Sequence, residues 1–127
     1  MVISDLISIC KLAVDVGNKV YEEYKKRKLS EAEKELLIAA VKDGVATAKY
    51  GEFYVMHLNE GDFIRAGNKN FPDDESKDPV YDFERYFEAF EGLCKRGYIR
   101  YDSGSLFRLT SIGLEKAREL SGKNKKK

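Results

Sequence analysis

Apolar positions at the start of the chain recur at alternating steps of four and three: Ile3, Ile7, Cys10, Val14, Gly17, Tyr21 and Tyr24. This spacing predicts a helix over residues 2–28, and Leu6, Ala13 and Val20 form an adjoining row that widens its apolar stripe. Such a stripe suits a helix packed on its own domain or one side of a helical dimer. In the second case Ile3, Ile7, Val14, Tyr21 and Tyr24 carry the association. The cations Lys25, Lys26, Arg27 and Lys28 close the helix where its carbonyl end favours positive charge.

Ser30 and Glu33 then have the spacing of a capping box, ahead of Leu36, Leu37, Ala40 and Val41. They predict a second helix over residues 31–43, ended by Gly44. From Glu52 the period shortens to two. EFYVMHL, a short turn at Asn59, Glu60 and Gly61, and DFIRA predict a hairpin. Phe53, Val55 and His57 share one face of the first strand, with Tyr54, Met56 and Leu58 on the other. Residues 68–79 hold both prolines and a run of acids, the composition of a loop.

A third helix is expected from Pro79 to Gly97, with Phe83, Tyr86, Phe87, Phe90, Leu93 and Cys94 as its core stripe. Two short strands follow around the turn Asp102, Ser103, Gly104 and Ser105. Ile99, Tyr101, Phe107 and Leu109 face the core there, which leaves Arg100 and Arg108 together on the outer face. Thr110 or Ser111 caps a last helix bearing Ile112, Leu114, Ala117 and Leu120, and Gly122 stops it.

A length of 127 residues fits one domain of ordinary size. The expected organisation is an N-terminal packing or dimerisation helix over 1–28, a domain over 29–122 and a disordered basic tail over 123–127. A net charge of +1 conceals a segregated pattern. Residues 29–60 carry three bases against six acids and residues 61–97 six against nine, whereas residues 98–127 carry eight against three. Cys10 and Cys94 are expected to be reduced core thiols, since nothing signals export. Asp5, Lys11 and Asp15 interrupt the apolar start well short of a membrane span, so a cytoplasmic protein is expected.

The chemistry of common active sites is missing. His57 is the only histidine and falls within a strand, which leaves neither a Ser/His/Asp triad nor a two-histidine zinc site. No glycine-rich phosphate loop occurs. Asp73, Asp74, Glu75 and Asp78 lack the spacing of a calcium loop and read as a solvated acidic segment. Glu84 and Glu88 share a helix face, yet the sequence gives them no pocket. No enzyme activity, cofactor, metal or small-molecule substrate is expected.

Residues 29–120 resemble a winged-helix module of bacterial and archaeal proteins. The resemblance lies in LLIAA at residues 36–40, AGNKNF at 66–71, the aromatic helix at 81–93, and GYI, FRLTSIG and Ala117 between residues 97 and 117. It implies an α+β winged helix, helix-turn-helix-like, with the first helix as an extension. Such modules are sometimes joined to signalling or effector domains in defence proteins, which implies a regulatory role without an active site.

Winged helices at large mostly bind DNA through the helix that corresponds to the third one here. That helix carries Asp78, Asp82, Glu84, Glu88 and Glu91 against Arg85, Lys95 and Arg96, a balance that repels phosphates. The expected function is therefore a non-enzymatic interaction module, self-associating as a homodimer through the first helix and engaging a protein partner. The alternative is a regulator that contacts double-stranded DNA with the wing and C-terminal cations Lys95, Arg96, Arg100, Arg108, Lys116 and Arg118.

Overall fold

The capping box forms as its spacing predicts. In a computed structural model, which describes residues 3–14, 21–41, 51–58 and 61–122, the Glu33 N–H donates to the Ser30 hydroxyl at 3.1 Å, and the Ser30 N–H donates to the Glu33 carboxylate at 2.8 Å. The box opens helix α3 (Glu31–Val41), which buries Ala32, Leu36, Leu37, Ala40 and Val41. Gly44, the expected stop, and residues 123–127 lie outside the described residues.

Two antiparallel hairpins merge into one sheet. Strand β1 (Glu52–Leu58) pairs with β2 (Gly61–Ala66) on one side and with β5 (Leu106–Leu109) on the other. Strand β3 (Lys69–Phe71) extends the β2 edge and β4 (Ile99–Ser103) the β5 edge, giving the order β3-β2-β1-β5-β4. Strand β3 corrects the reading of residues 68–79 as a loop throughout. Phe71 lies opposite Ile64 and is buried, so pairing and packing, not local propensity, make these three residues a strand.

Alternation along the strands sorts the two faces. Phe53, Val55, Ile64, Ala66, Ile99 and Phe107 point inward and are fully buried. On them lies α4 (Pro79–Lys95), begun by the Asp78 carboxylate, which accepts from the Tyr81 N–H, and by Pro79 in the first turn. The Phe90 ring stands edge-on to Phe53 and Phe107, with centroids 5.3 and 5.2 Å apart. Full burial of such a ring contributes about 1.5–3 kcal/mol.

Helix α5 (Ser111–Ser121) packs on α3 and closes the layer. Thr110 caps it, accepting from the Gly113 N–H while donating to the Gly97 carbonyl at 2.7 Å. Any Cβ at Gly113 would overlap the Tyr98 carbonyl oxygen, which is why a glycine stands inside this helix. The chain is thus mixed α+β, ending in helix, hairpin and helix, and the described chain between α3 and α4 forms three strands.

The predicted first helix appears as two elements, α1 (Ile3–Val14) and the single turn α2 (Glu22–Lys25), with residues 15–20 outside the described residues. Leu6, Cys10 and Ala13 are buried, and α1 packs on α4 and β4 of its own chain. Cys10 and Cys94, far apart in sequence, meet there as free, buried thiols. Burial, reinforced by the hydrogen bond with Cys10, pushes the Cys94 thiol well above its ordinary value, which suppresses the reactive thiolate. No helix among the described residues is long and apolar enough to cross a membrane.

One buried ion pair ties these helices together. Arg96, at the C-terminal cap of α4, is only 4% exposed. Its Nε and Nη2 lie 3.3 Å from Glu33 Oε2 and Oε1. Its Nη1 donates to the Arg27 carbonyl at 2.6 Å and its Nη2 to the Lys28 carbonyl at 3.0 Å. The Tyr24 ring lies beneath, 5.2 Å from the guanidinium carbon. A Cβ on Gly92, one turn back, would overlap both the Glu33 carboxylate and the Tyr24 hydroxyl.

Replacing Arg96 by methionine leaves the Glu33 carboxylate buried without its cation, and should lower unfolding free energy in urea by about 3–5 kcal/mol. The double replacement Arg96→Met with Glu33→Met should cost less than the sum of the two single ones. Additive losses would show that the two charges are not coupled.

Candidate functional site

The outward face of α4 forms one wall of an open groove of about 930 Å³. Val80, Phe83, Glu84, Phe87, Glu88 and Glu91 recur at helical spacing and all line it, so one face of the helix is turned to the groove for three turns. The opposite wall is the start of β2, with Asp62 and Phe63, together with Asn70, Pro72, Asp73 and Asp74. Strand β3 pairs only with Ile64, Arg65 and Ala66, so the first half of β2 runs past its end and the groove opens there.

Its lining divides by chemistry. Phe63, Pro72, Pro79, Val80, Phe83 and Phe87 supply apolar surface, and Val80 is 72% exposed at the mouth. Asp62, Asp73, Asp74, Glu84, Glu88 and Glu91 supply six carboxylates, and no lysine, arginine or histidine lines the groove among the described residues. Asp73, Asp74, Glu84, Glu88 and Glu91 form no ion pair within the described residues. The Asn70 amide oxygen is buried without a hydrogen-bond partner among them. The absence of a pocket for Glu84 and Glu88, expected from sequence, is thus corrected.

The roll of α4 that produces this arrangement is held from behind. The Tyr86 hydroxyl donates to Glu35 of α3 at 2.5 Å, and its ring packs on Phe71 with centroids 4.9 Å apart. Arg85 lies over the same ring, 4.6 Å from its centroid. Burial first, and then donation to the Glu35 carboxylate, push the Tyr86 hydroxyl up to about 12.

The cations proposed from sequence as a phosphate-binding surface are mostly committed elsewhere. Arg96 is turned inward onto Glu33, which corrects its placement on that surface. Lys95 lies over the rings of Tyr24 and Tyr21, at 5.3 and 6.0 Å. Arg108 bridges Asp102 and Glu52 on the outer sheet face, with contacts of 2.5 and 3.0 Å. The Arg108 hydrogen bond holds Asp102 below the ordinary carboxylate range, and Asp102 holds Arg108 above its own. Lys116 pairs with Glu119 at 3.4 Å, and the side chains of Arg100 and Arg118 lie at the surface. Arg100 does lie beside Arg108 across the β4–β5 hairpin, as expected.

The predicted association residues divide as well. Tyr21 and Tyr24 are half-buried against the C-terminal end of α4 and Ile7 packs on the core, while the side chains of Ile3 and Val14, like that of His57, lie outside the described residues. Among the described residues, no group of three or more acidic, histidine or cysteine side chains is arranged to hold a metal ion. No protein family, curated protein or solved structure matches this chain.

Because Tyr86 ionises at higher pH folded than unfolded, its contribution to stability is complete below pH 10 and is lost as pH rises from 10 to about 12. The wild-type urea midpoint should fall across that interval. A smaller fall in the Tyr86→Phe variant assigns that part to this hydroxyl, and an unchanged fall removes the assignment.

Proposed function

We propose that the protein is a non-enzymatic interaction module of winged-helix type that engages a protein partner in the groove beside α4. The observation that carries this reading is the groove itself, an apolar floor rimmed by carboxylates with no lining cation among the described residues, on the helix that a DNA-reading winged helix would present. That surface repels a phosphate backbone. The order of the last four elements and the resemblance of residues 29–120 support the winged-helix part.

The alternative, a regulator that contacts duplex DNA, rests on Arg100, exposed on the outer face of the wing beside Arg108. Fluorescence anisotropy of the full chain with a labelled random duplex should show no binding at near-physiological salt. Salt-sensitive binding that weakens in Arg100→Glu would put the DNA reading first. A photo-crosslinking residue at Val80 should capture a protein from cell extract, and one at Ile112, exposed on α5, should not. Equal capture from both positions would count against the groove.

Self-association enters the proposal through the outer face of α1, where Leu12 is 41% exposed. Deleting residues 1–28 would strip Leu6, Cys10 and Ala13 from the core, so a substitution in the full chain is the cleaner check. Light scattering should give a dimer for the wild type and a monomer for Leu12→Lys. A wild-type monomer would remove self-association from the reading.

A further inference from the structure

We infer that the occupant of the groove is a short basic segment of a partner protein, in which lysine or arginine side chains flank a single aromatic or aliphatic anchor. This rests on the reading of the groove as a protein-docking site and goes beyond it by fixing the chemistry of the partner.

The anchor is required by the floor. Phe83 is almost fully buried and Phe87 half-buried, while Val80 stands open above them, so the apolar surface slopes from the core to solvent along one helix face. A purely ionic ligand would leave that surface wet, whereas an apolar side chain laid on it removes both surfaces from water. The cations are required by the rim. Glu84 and Glu88 are exposed one turn apart, with Glu91 continuing the row, and the exposed Asp73 and Asp74 line the same groove. A cation placed among these carboxylates gains from their combined field. Among the described residues the lining holds no positive group, whereas Glu33, Glu52 and Asp102 are matched by arginines within the fold.

Other occupants fit less well. Nucleic acid and anionic lipid headgroups are repelled by the rim. A metal ion finds no group of three ligating side chains among the described residues. A polyamine satisfies the rim and leaves the floor uncovered.

The test uses the full chain as bait for a display library of random short peptides, with a Glu84→Lys, Glu88→Lys variant for counter-selection. Both positions are exposed, and the variant should keep the wild-type melting curve. Recovered peptides are expected to carry lysine or arginine around one apolar anchor, and to bind the variant about tenfold or more weakly. Their affinity should fall with salt, and replacing the anchor by serine should abolish binding. Glu115→Lys on α5, also exposed, should leave affinity unchanged.

Peptides without a basic bias, or that bind the reversed variant equally, would overturn the inference. So would recovery of none, or displacement by spermine as readily as by unlabelled peptide, which would mark a small-cation site. The two readings fail separately. Crosslinking from Val80 to a protein whose contact segment is not basic keeps the docking groove and removes this partner, whereas no protein captured at Val80 removes both.

Discussion

The Glu33–Arg96 pair is the constraint on which the arrangement of the helices depends. Glu33 does two things with one carboxylate: it completes the capping box that starts α3, and it receives the guanidinium that ends α4. Arg96 in turn takes up two carbonyls of the segment leading into α3. A buried charge must be fully matched to be tolerated. Only one relative placement of the α3 start, the α4 end and residues 27–28 matches this one. A side chain at position 92 would displace the Glu33 carboxylate and the Tyr24 hydroxyl from this arrangement.

Fixing the C-terminal end of α4 in this way determines what its other end presents. Tyr86, anchored to Glu35 and Phe71, sets the roll of the helix, and the β meander then stands opposite its N-terminal half with space between. The charges divide accordingly. At the C-terminal end Arg96 is drawn inward and Lys95 lies on tyrosine rings, while Glu84, Glu88 and Glu91 face the groove. The helix thus displays its carboxylates to the groove while Lys95 and Arg96 are engaged within the fold, a local imbalance that the near-zero net charge of the chain conceals.

Much of the fold was legible because it is locally encoded. The capping box, the proline opening of α4, the glycine that ends α5 and the alternation in β1, β2, β4 and β5 each depend on neighbours a few residues away. What was not legible is what depends on distant residues. Lys69–Phe71 has the composition of a turn and becomes a strand only against β2. Lys95 and Arg96 look like a solvated helix end, and nothing local shows that Arg96 turns inward to a glutamate 63 positions earlier. The groove escaped for the same reason, since Phe63, Pro72 and Phe87 belong to three separate segments and the last resembles a core residue when read on its helix alone. The acidic spacing at 84, 88 and 91 was its one signal, visible as a surface row but not as a wall.

The floor and the rim would contribute to recognition in different ways. Exposed carboxylates gain little from a single partner cation in water, because solvent and salt screen each pair. Their combined field nonetheless speeds approach of basic segments and penalises acidic ones. Affinity must then come from the apolar row of Val80, Phe83 and Phe87, where burial of an anchor removes surface from water without a compensating desolvation cost. Hydrophobic contact without the rim would accept almost any exposed leucine or phenylalanine, and the rim without the floor would hold only a loose cloud of cations. The coexistence of both on one helix face is what the proposed basic, singly anchored segment would read.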